Sequence, residues 1–145
     1  MQRNSFTSGA SQDIFCAQGG TGGATRQNRI HFQTDDTIDI QIETTSALTI
    51  IYSTTKVFRD VGWYHILLSI DQGAALGPSQ VNLFVNGVPV SIVATVLDQG
   101  FTAALSSWGN AGALNSVGTN NGNALFYKGY YAQTTMLVGQ SIQSG

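Results

Sequence analysis

The chain is 145 residues long, which suits one domain that buries a core of its own. Only 10% of its residues are charged, the net charge is -2, and its six Lys and Arg form no cluster, which excludes the electrostatic footprint of a nucleic-acid or anionic-membrane binder. No apolar run approaches the roughly 18 residues of a spanning helix, and no apolar signal-peptide segment opens the sequence, so neither membrane insertion nor secretion by that route is expected.

The first predicted strand contains the only cysteine, Cys16, within the apolar segment DIFCA. A single cysteine cannot form an internal disulfide. Because the neighbouring sequence offers no cation or base that would activate a thiol, we expect Cys16 to be a small buried side chain rather than a reactive one.

Residues 29–43 are predicted to form a β-hairpin around the turn TDD. In the first strand Ile30 and Phe32 face the core, and His31 lies on the polar face, where we expect it to be solvated. The second strand alternates without error, with Ile38, Ile40 and Ile42 on one face and Asp39, Gln41 and Glu43 on the other. This pattern predicts one face on a core and one face in water.

Two apolar segments follow, ALTIIYST and GWYHILLSID, and both are predicted strands. In the first, Leu48, Ile50 and Tyr52 share one face. The second is apolar on both faces, which predicts a central strand that is covered on both sides. Trp63 is therefore expected in the core, and His65 is expected to be a packed core histidine with one partner.

The segment QVNLFVNGVPVSI predicts a second hairpin. Its strands place apolar side chains on one face: Val81, Leu83 and Val85 before the turn, and Val88, Val90 and Ile92 after it. Asn86 and Gly87 supply the positive φ angles that a type I′ turn requires. Pro89 has no amide hydrogen to donate to a ladder, so it marks an edge or an outward-facing position.

Residues 98–124 are rich in Gly, Asn, Ser and Ala and predict a long loop with one short strand near residues 116–118. Strand character returns in ALFYKGYYAQTTMLVG, which carries Tyr127, Tyr130 and Tyr131. No stretch of the chain has capped helical periodicity. Short strands separated by turns predict an all-β fold, an antiparallel two-sheet sandwich.

Four of these segments, in this order, carry a resemblance to a known family: QDIFCAQGG, FRDVGWYHILLSID, VNLFVNGVPV and YKGYYAQTTMLVGQSI. The chain resembles the concanavalin A-like, laminin-G-like jelly rolls, especially those of bacteriophage tail and other virion proteins. The match spans nearly the whole chain. The resemblance implies a jelly-roll sandwich, a virion or extracellular location, and partners that are other virion chains, with a homo-oligomer expected.

One departure from the family concerns the beginning of the sequence. The family opens with an aromatic-containing strand followed by Gly-Trp, whereas MQRNSF looks like only the tail of that strand. We therefore expect residues 1–145 to form a single laminin-G-like domain that lacks part of its first strand, either as a fragment of a longer protein or with an open slot. Such a slot exposes unpaired backbone groups, so upstream sequence or a neighbouring chain is expected to complete it.

Enzymatic chemistry is not expected. Glycosidases need two carboxylates about 5–5.5 Å or about 6.5–9.5 Å apart. The only glutamate is Glu43, and the nearest acid on its face is Asp39, about 13 Å away along an extended strand. A Gly-x-Ser-x-Gly nucleophile elbow is also missing from the sequence.

A metal cofactor is not expected either. Laminin-G-like domains often hold calcium between loops, and calcium prefers several oxygen ligands. The aspartates outside the strands are spread along the chain: Asp35, Asp36, Asp60, Asp71 and Asp98. They form no compact Asp-x-Asp-x-Asp loop, so Asp35 and Asp36 are better explained as turn residues. Calcium remains a candidate that no ligand cluster supports.

The candidate ligand-binding residues are Trp108 and Asn110, in the small polar segment SSWGNAG. Sugars are held by aromatic faces together with amide and backbone hydrogen bonds. The alternative is that Trp108 closes one end of the sandwich and that the tyrosines of the last strand pack in the core.

The function expected from the sequence is non-catalytic: a virion structural or adhesion module on a phage tail or capsid, with a host-surface glycan as candidate ligand. The alternatives are a secreted carbohydrate-binding module attached to an enzyme, and a scaffold without any ligand. A virion module is expected in a symmetric oligomer, whereas an appended module is expected to be monomeric.

Overall fold

A computed structural model of the chain describes residues 1–3, 11–19, 26–43, 49–71, 74, 77–96, 114–118 and 129–135. The described residues form an all-β structure, which confirms the predicted class, and their only helical element is a 3₁₀ turn at Pro78–Gln80. The strands are β1 Gln2–Arg3, β2 Gln12–Gly19, β3 Arg26–Phe32, β4 Ile38–Glu43, β5 Thr49–Thr54, β6 Gly62–Trp63, β7 Ile66–Ile70, β8 Val81–Val85, β9 Val88–Val90, β10 Ile92–Val96, β11 Leu114–Val117 and β12 Gly129–Tyr130.

One layer of the structure, which we call the large sheet, has the strand order β10-β5-β4-β3-β2-β11, with every neighbouring pair antiparallel. The hairpin predicted over residues 29–43 is confirmed in its centre as β3 and β4. In its turn, Asp36 has a φ of 70° and its amide donates to the Gln33 carbonyl at 3.0 Å. The Asp35 carboxylate accepts from the Thr37 amide at 3.0 Å, which is the turn role expected of it.

The opposite layer, the small layer, contains two ladders with the orders β12-β1-β6 and β7-β8-β9. They meet where the chain changes partner between Tyr64 and His65. The Tyr64 amide donates to the Met1 carbonyl at 2.6 Å, which extends the ladder with β1, and the Asn86 amide donates to the His65 carbonyl at 2.8 Å, which extends the ladder with β8. The two ladders therefore run side by side as one face of a β-sandwich.

The hairpin of β8 and β9 has the predicted two-residue turn. Asn86 and Gly87 have φ angles of 54° and 77°, as a type I′ turn requires. Leu83 pairs with Val90, and Val85 pairs with Val88, so the register agrees with the sequence pattern. Within the described residues β9 pairs only with β8, which accommodates Pro89 at an edge.

The core lies between the two layers and joins side chains from both. One cluster of its buried apolar members is Ile14, Ile30, Phe32, Ile38, Phe58, Tyr64, Leu83 and Val85, and a second cluster is Ile40, Ile42, Tyr52 and Val81. The Tyr64 ring lies 6.1 Å from the ring centroids of both Phe32 and Phe58. On the other flank the Tyr131 hydroxyl donates to the Ile14 carbonyl at 3.0 Å, which links the segment after β12 to the large sheet.

Two predictions about the segment GWYHILLSID are wrong. It forms two short strands, β6 and β7, rather than one central strand, and β7 pairs only with β8 in the described part of the chain. Trp63 is 56% exposed and His65 is exposed, so neither is a core residue. The physical reason is the alternation of side chains: Tyr64 takes the inward position, so its neighbours in sequence must point outward.

Other predictions for the described residues are confirmed. Cys16 is fully buried. A short strand is present in the long Gly-rich region, at Leu114–Val117 rather than at residues 116–118. Of the tyrosines, Tyr131 packs against the core, whereas Tyr130 is exposed and Tyr127 lies outside the described residues.

We expect Gly87→Ala to destabilise the protein by about 1–2 kcal/mol, because a Cβ at φ 77° strains the left-handed backbone conformation. Gly62→Ala is the matched control: an added Cβ there meets no atom within 4 Å and the φ is not positive, so the free energy of unfolding should change little. Urea denaturation of both variants measures the difference. Equal stability of the two variants would contradict the assigned turn.

Candidate functional site

A pocket of ≈ 500 Å³ lies at one end of the sandwich, between residues 55–60 and the hairpin of β8 and β9. We call it the hairpin pocket. Its volume is within the range of small-ligand sites in proteins. The lining residues that matter chemically are Lys56, Phe58, Asp60, Tyr64, Asn86 and Pro89. The rings of Phe58 and Tyr64 belong to the core, and the polar groups of the other residues surround them.

Hydrogen bonds to fixed elements hold both walls of the hairpin pocket. The Phe58 amide donates to the Asp36 carbonyl at 2.8 Å, which anchors the 55–60 segment on the turn between β3 and β4. The Thr55 amide donates to the Ser91 carbonyl at 3.0 Å, which anchors the same segment beside β9. The Tyr64 hydroxyl donates to the Asp60 carbonyl at 2.6 Å. The pocket is therefore shaped by backbone contacts rather than by mobile side chains alone.

The charged groups at the hairpin pocket have opposite signs. The Lys56 ammonium lies 5.7 Å from the centroid of the Phe58 ring, within the range of a cation–π contact. Asp60 is exposed on the same pocket. Arg59, next to Asp60, instead donates to the Asp36 carboxylate at 3.2 Å. The pocket thus offers one ammonium donor and one carboxylate acceptor above an apolar floor.

A second feature is an exposed pair of aromatic residues on the outer face of the small layer, which we call the aromatic row. Trp63 and Tyr130 are both in register with Gln2 on β1, one from each side. Their side chains are 56% and 64% exposed. Two strand spacings place their backbones roughly 9–10 Å apart on the same face. Such an exposed pair of aromatic side chains is suited to contacting an extended ligand.

A third feature crosses the face of the large sheet that points away from the small layer. Asp13 pairs with His31, and His31 pairs with Asp39, so the three side chains form a polar row over β2, β3 and β4. All three are buried. The prediction that His31 is solvated is therefore wrong, as is the prediction that Asp39 and Gln41 face water. Alternation correctly separated the two faces of the hairpin, but both faces are covered.

The contacts of the polar row are incomplete. Arg29 lies 3.5 Å from the Asp13 carboxylate and donates to Gln41 at 2.9 Å. Asp39 accepts from Gln33 at 2.9 Å, but its other oxygen forms no hydrogen bond. His31 Nε2 is 4.0 Å from Asp39, too far for a hydrogen bond, and neither of its ring nitrogens has a hydrogen-bond partner among the residues that the structure describes.

Burial controls the protonation of the polar row. It raises the pKa of Asp13 to about 6, against the opposing charge of Arg29. It lowers the pKa of His31 to about 3, and the Arg29 charge acts in the same direction. The pKa of Asp39 is also raised by burial, although hydrogen bonds from Gln33 and Ser53 oppose the shift. Near neutral pH His31 is therefore an uncharged imidazole.

The polar row does not form a nucleophilic triad with the described residues. Ser53 pairs with Asp39 and hydrogen-bonds to it, so it is separated from His31 by a strand. Cys16 is in register with Arg29 but is fully buried. Among the residues that the structure describes, no three His, Cys, Asp or Glu side chains are grouped as metal ligands. Asp98, one of the acids considered for calcium, lies outside the described residues.

The residues predicted to bind a ligand, Trp108 and Asn110, also lie outside the described residues. The aromatic row was missed because Trp63 was assigned to the core. Its signal was present in the sequence: in an extended segment the neighbours Trp63 and Tyr64 cannot both point inward. No helix in the described part of the chain has the length and apolar character needed to cross a membrane.

The polar row predicts how the stability of the protein depends on pH. Between about pH 3.8 and 6, native Asp13 holds a proton that the unfolded chain releases, whereas the unfolded chain protonates His31 and the native state does not. On acidification, Asp13 therefore increases the stability of the native state and His31 decreases it. In Asp13→Asn, stability should fall on acidification from pH 6.5 to 4, because the effect of His31 is then opposed only by the raised pKa of Asp39. In His31→Gln, acidification over pH 6 to 4 should increase stability.

Urea denaturation of the wild type and both variants at intervals from pH 7 to 4 measures these slopes. Val93→Ala, at an exposed apolar residue on β10, serves as the control and should keep the wild-type profile shape. Slopes of the same sign in the two charge variants would contradict the assigned protonation states.

Comparisons of the chain with family models, with curated proteins and with solved structures found no match. The functional assignment therefore depends on the geometry of the hairpin pocket and the aromatic row.

Proposed function

We propose that the chain is a non-catalytic structural or adhesion module of a virion that contacts glycans through the aromatic row. The observation that carries the proposal is the exposure of Trp63 and Tyr130 on one face, in register through Gln2. Large aromatic side chains held outward on a sheet are available for a ligand rather than for the core.

The chemistry of the aromatic row suits sugars. The C–H face of a sugar ring packs on an aromatic face, while its hydroxyl groups need polar neighbours that fix orientation. The separation of the two backbones, roughly 9–10 Å, allows neighbouring sugar units to contact Trp63 and Tyr130 in turn. The chain carries few charges overall, so neutral contacts dominate its surface.

The virion setting is the part of the proposal that rests on the resemblance to phage-tail jelly rolls. It includes a jelly-roll connection of the strands, a virion or extracellular location, and assembly with other virion chains as a homo-oligomer. Exposed apolar side chains support an assembled state, since Val61, two residues before Trp63, is 61% exposed and Val88, on the edge strand β9, is 60% exposed. A secreted module attached to an enzyme would use the same aromatic row but would not assemble into an oligomer.

We expect Trp63→Ala to weaken glycan binding by about tenfold or more, because truncating a stacked Trp commonly removes over 1.4 kcal/mol of binding energy. Tyr130→Ala should weaken it to a smaller extent. A glycan array followed by titration calorimetry measures both. Val93→Ala, an exposed apolar residue on β10, is the matched control and should bind as the wild type does.

A glycan that binds the wild type and Trp63→Ala equally would contradict the aromatic row as the site. Loss of binding in Trp108→Ala, with Trp63→Ala unchanged, would return the site to the residue predicted from the sequence. Absence of binding to every glycan would contradict the proposed function.

The proposed assembly predicts an oligomer at micromolar concentration in size-exclusion chromatography with light scattering. Burying Val61 and Val88 at the contact would stabilise it, so the double variant Val61→Ser, Val88→Ser should dissociate. A monomeric wild type that still binds glycan would favour the appended carbohydrate-binding module over the virion module.

A further inference from the structure

We propose that the hairpin pocket binds the carboxylate-bearing terminal sugar of the glycan that stacks on the aromatic row, with Lys56 as the residue that selects for its charge. The inference rests on the proposed function, and it names the ligand class as an acidic saccharide rather than a neutral one.

The hairpin pocket and the aromatic row are close enough for one glycan to reach both. Asp60 lines the pocket and Trp63 belongs to the row. Three residues of extended chain span at most roughly 10–11 Å, so their backbones can be no farther apart. The residue after Trp63, Tyr64, directs its ring to the core side, where it lines the pocket, while Trp63 points outward. The proposed glycan therefore leaves the pocket around the segment before β6, which carries Asp60, and continues onto Trp63 on the outer face.

Lys56 is the cation that remains available at the hairpin pocket. Arg59 is engaged with Asp36, whereas Lys56 forms no ion pair with a described residue and its ammonium lies over the Phe58 ring. The ring shields one side of the ammonium from water and leaves its other donors directed away from the ring. A carboxylate is the ligand group that complements one exposed ammonium.

Asp60 sets the orientation of the acidic sugar. Its carboxylate repels the ligand carboxylate and accepts hydrogen bonds from ligand hydroxyls, so the sugar enters with its carboxylate toward Lys56 and its hydroxyls toward Asp60. The parts of the Phe58 and Tyr64 side chains that line the pocket supply its apolar contacts with the sugar. A single carboxylated sugar thus contacts the Lys56 ammonium, the Asp60 carboxylate and the apolar lining of the pocket together.

The test uses pairs of disaccharides that differ only in charge, such as cellobiose and cellobiouronic acid, in which a carboxylate replaces the terminal hydroxymethyl group. The wild type should bind the acidic member about two- to fivefold more tightly at low salt, the range that one exposed ion pair supplies. The preference should vanish in Lys56→Gln, remain in Lys56→Arg, and decline as salt is raised. Circular dichroism checks that each variant is folded.

The outcomes separate the two proposals. Equal affinity of the wild type for the two members of each pair, with binding still lost in Trp63→Ala, overturns the acidic-sugar inference and leaves the proposed function standing. A preference that survives in Lys56→Gln overturns the role of Lys56. Failure of every acidic and neutral disaccharide to bind overturns both the inference and the glycan contact.

Discussion

The structure depends on the inward placement of Tyr64. Its ring packs against Phe32 of the large sheet and against Phe58, so it joins the two layers at the point where the chain changes partner from β1 to β8. Its hydroxyl is satisfied by the Asp60 carbonyl, which lets a polar group end at the core without an unpaired donor. The pocket floor and the outward position of Trp63 both follow from this single orientation.

In the polar row, unlike at Tyr64, hydrogen bonds and ion pairs only partly compensate the cost of burying polar groups. Within the described part of the chain, the buried His31 imidazole has no hydrogen bond and the Asp13 carboxylate has Arg29, at 3.5 Å, as its one ionic partner, and both arrangements cost stability. Because burial favours the neutral forms, His31 loses its proton and Asp13 tends to keep one. The row therefore contributes a dependence on pH rather than a reactive centre.

The two proposed contact surfaces differ in how they are built. The hairpin pocket is bounded by backbone hydrogen bonds from the Phe58 and Thr55 amides to the Asp36 and Ser91 carbonyls, which anchor the segment that carries Lys56. The aromatic row depends on strand register, since Trp63 and Tyr130 share a face only because β1 pairs with both of their strands. Both are carried by rigid elements, which reduces the ordering that a bound ligand would require.

The sequence by itself determined the local elements. The all-β class, the hairpin turn at Asn86 and Gly87 and the inward face of β4 follow from backbone sterics and two-residue alternation, which are local properties. It also separated the two faces of β3 correctly. These features needed no knowledge of the partner that each strand would find.

Only the tertiary structure decided which faces are covered. Alternation states that His31 and Ile30 point in opposite directions, but it cannot state that both directions are buried. Alternation likewise did not decide whether Trp63 or Tyr64 lies in the core. In the structure Tyr64 does, because its ring packs against Phe32 and Phe58. Burial depends on residues distant in sequence, so the pocket and the aromatic row emerge only when the two layers are brought together.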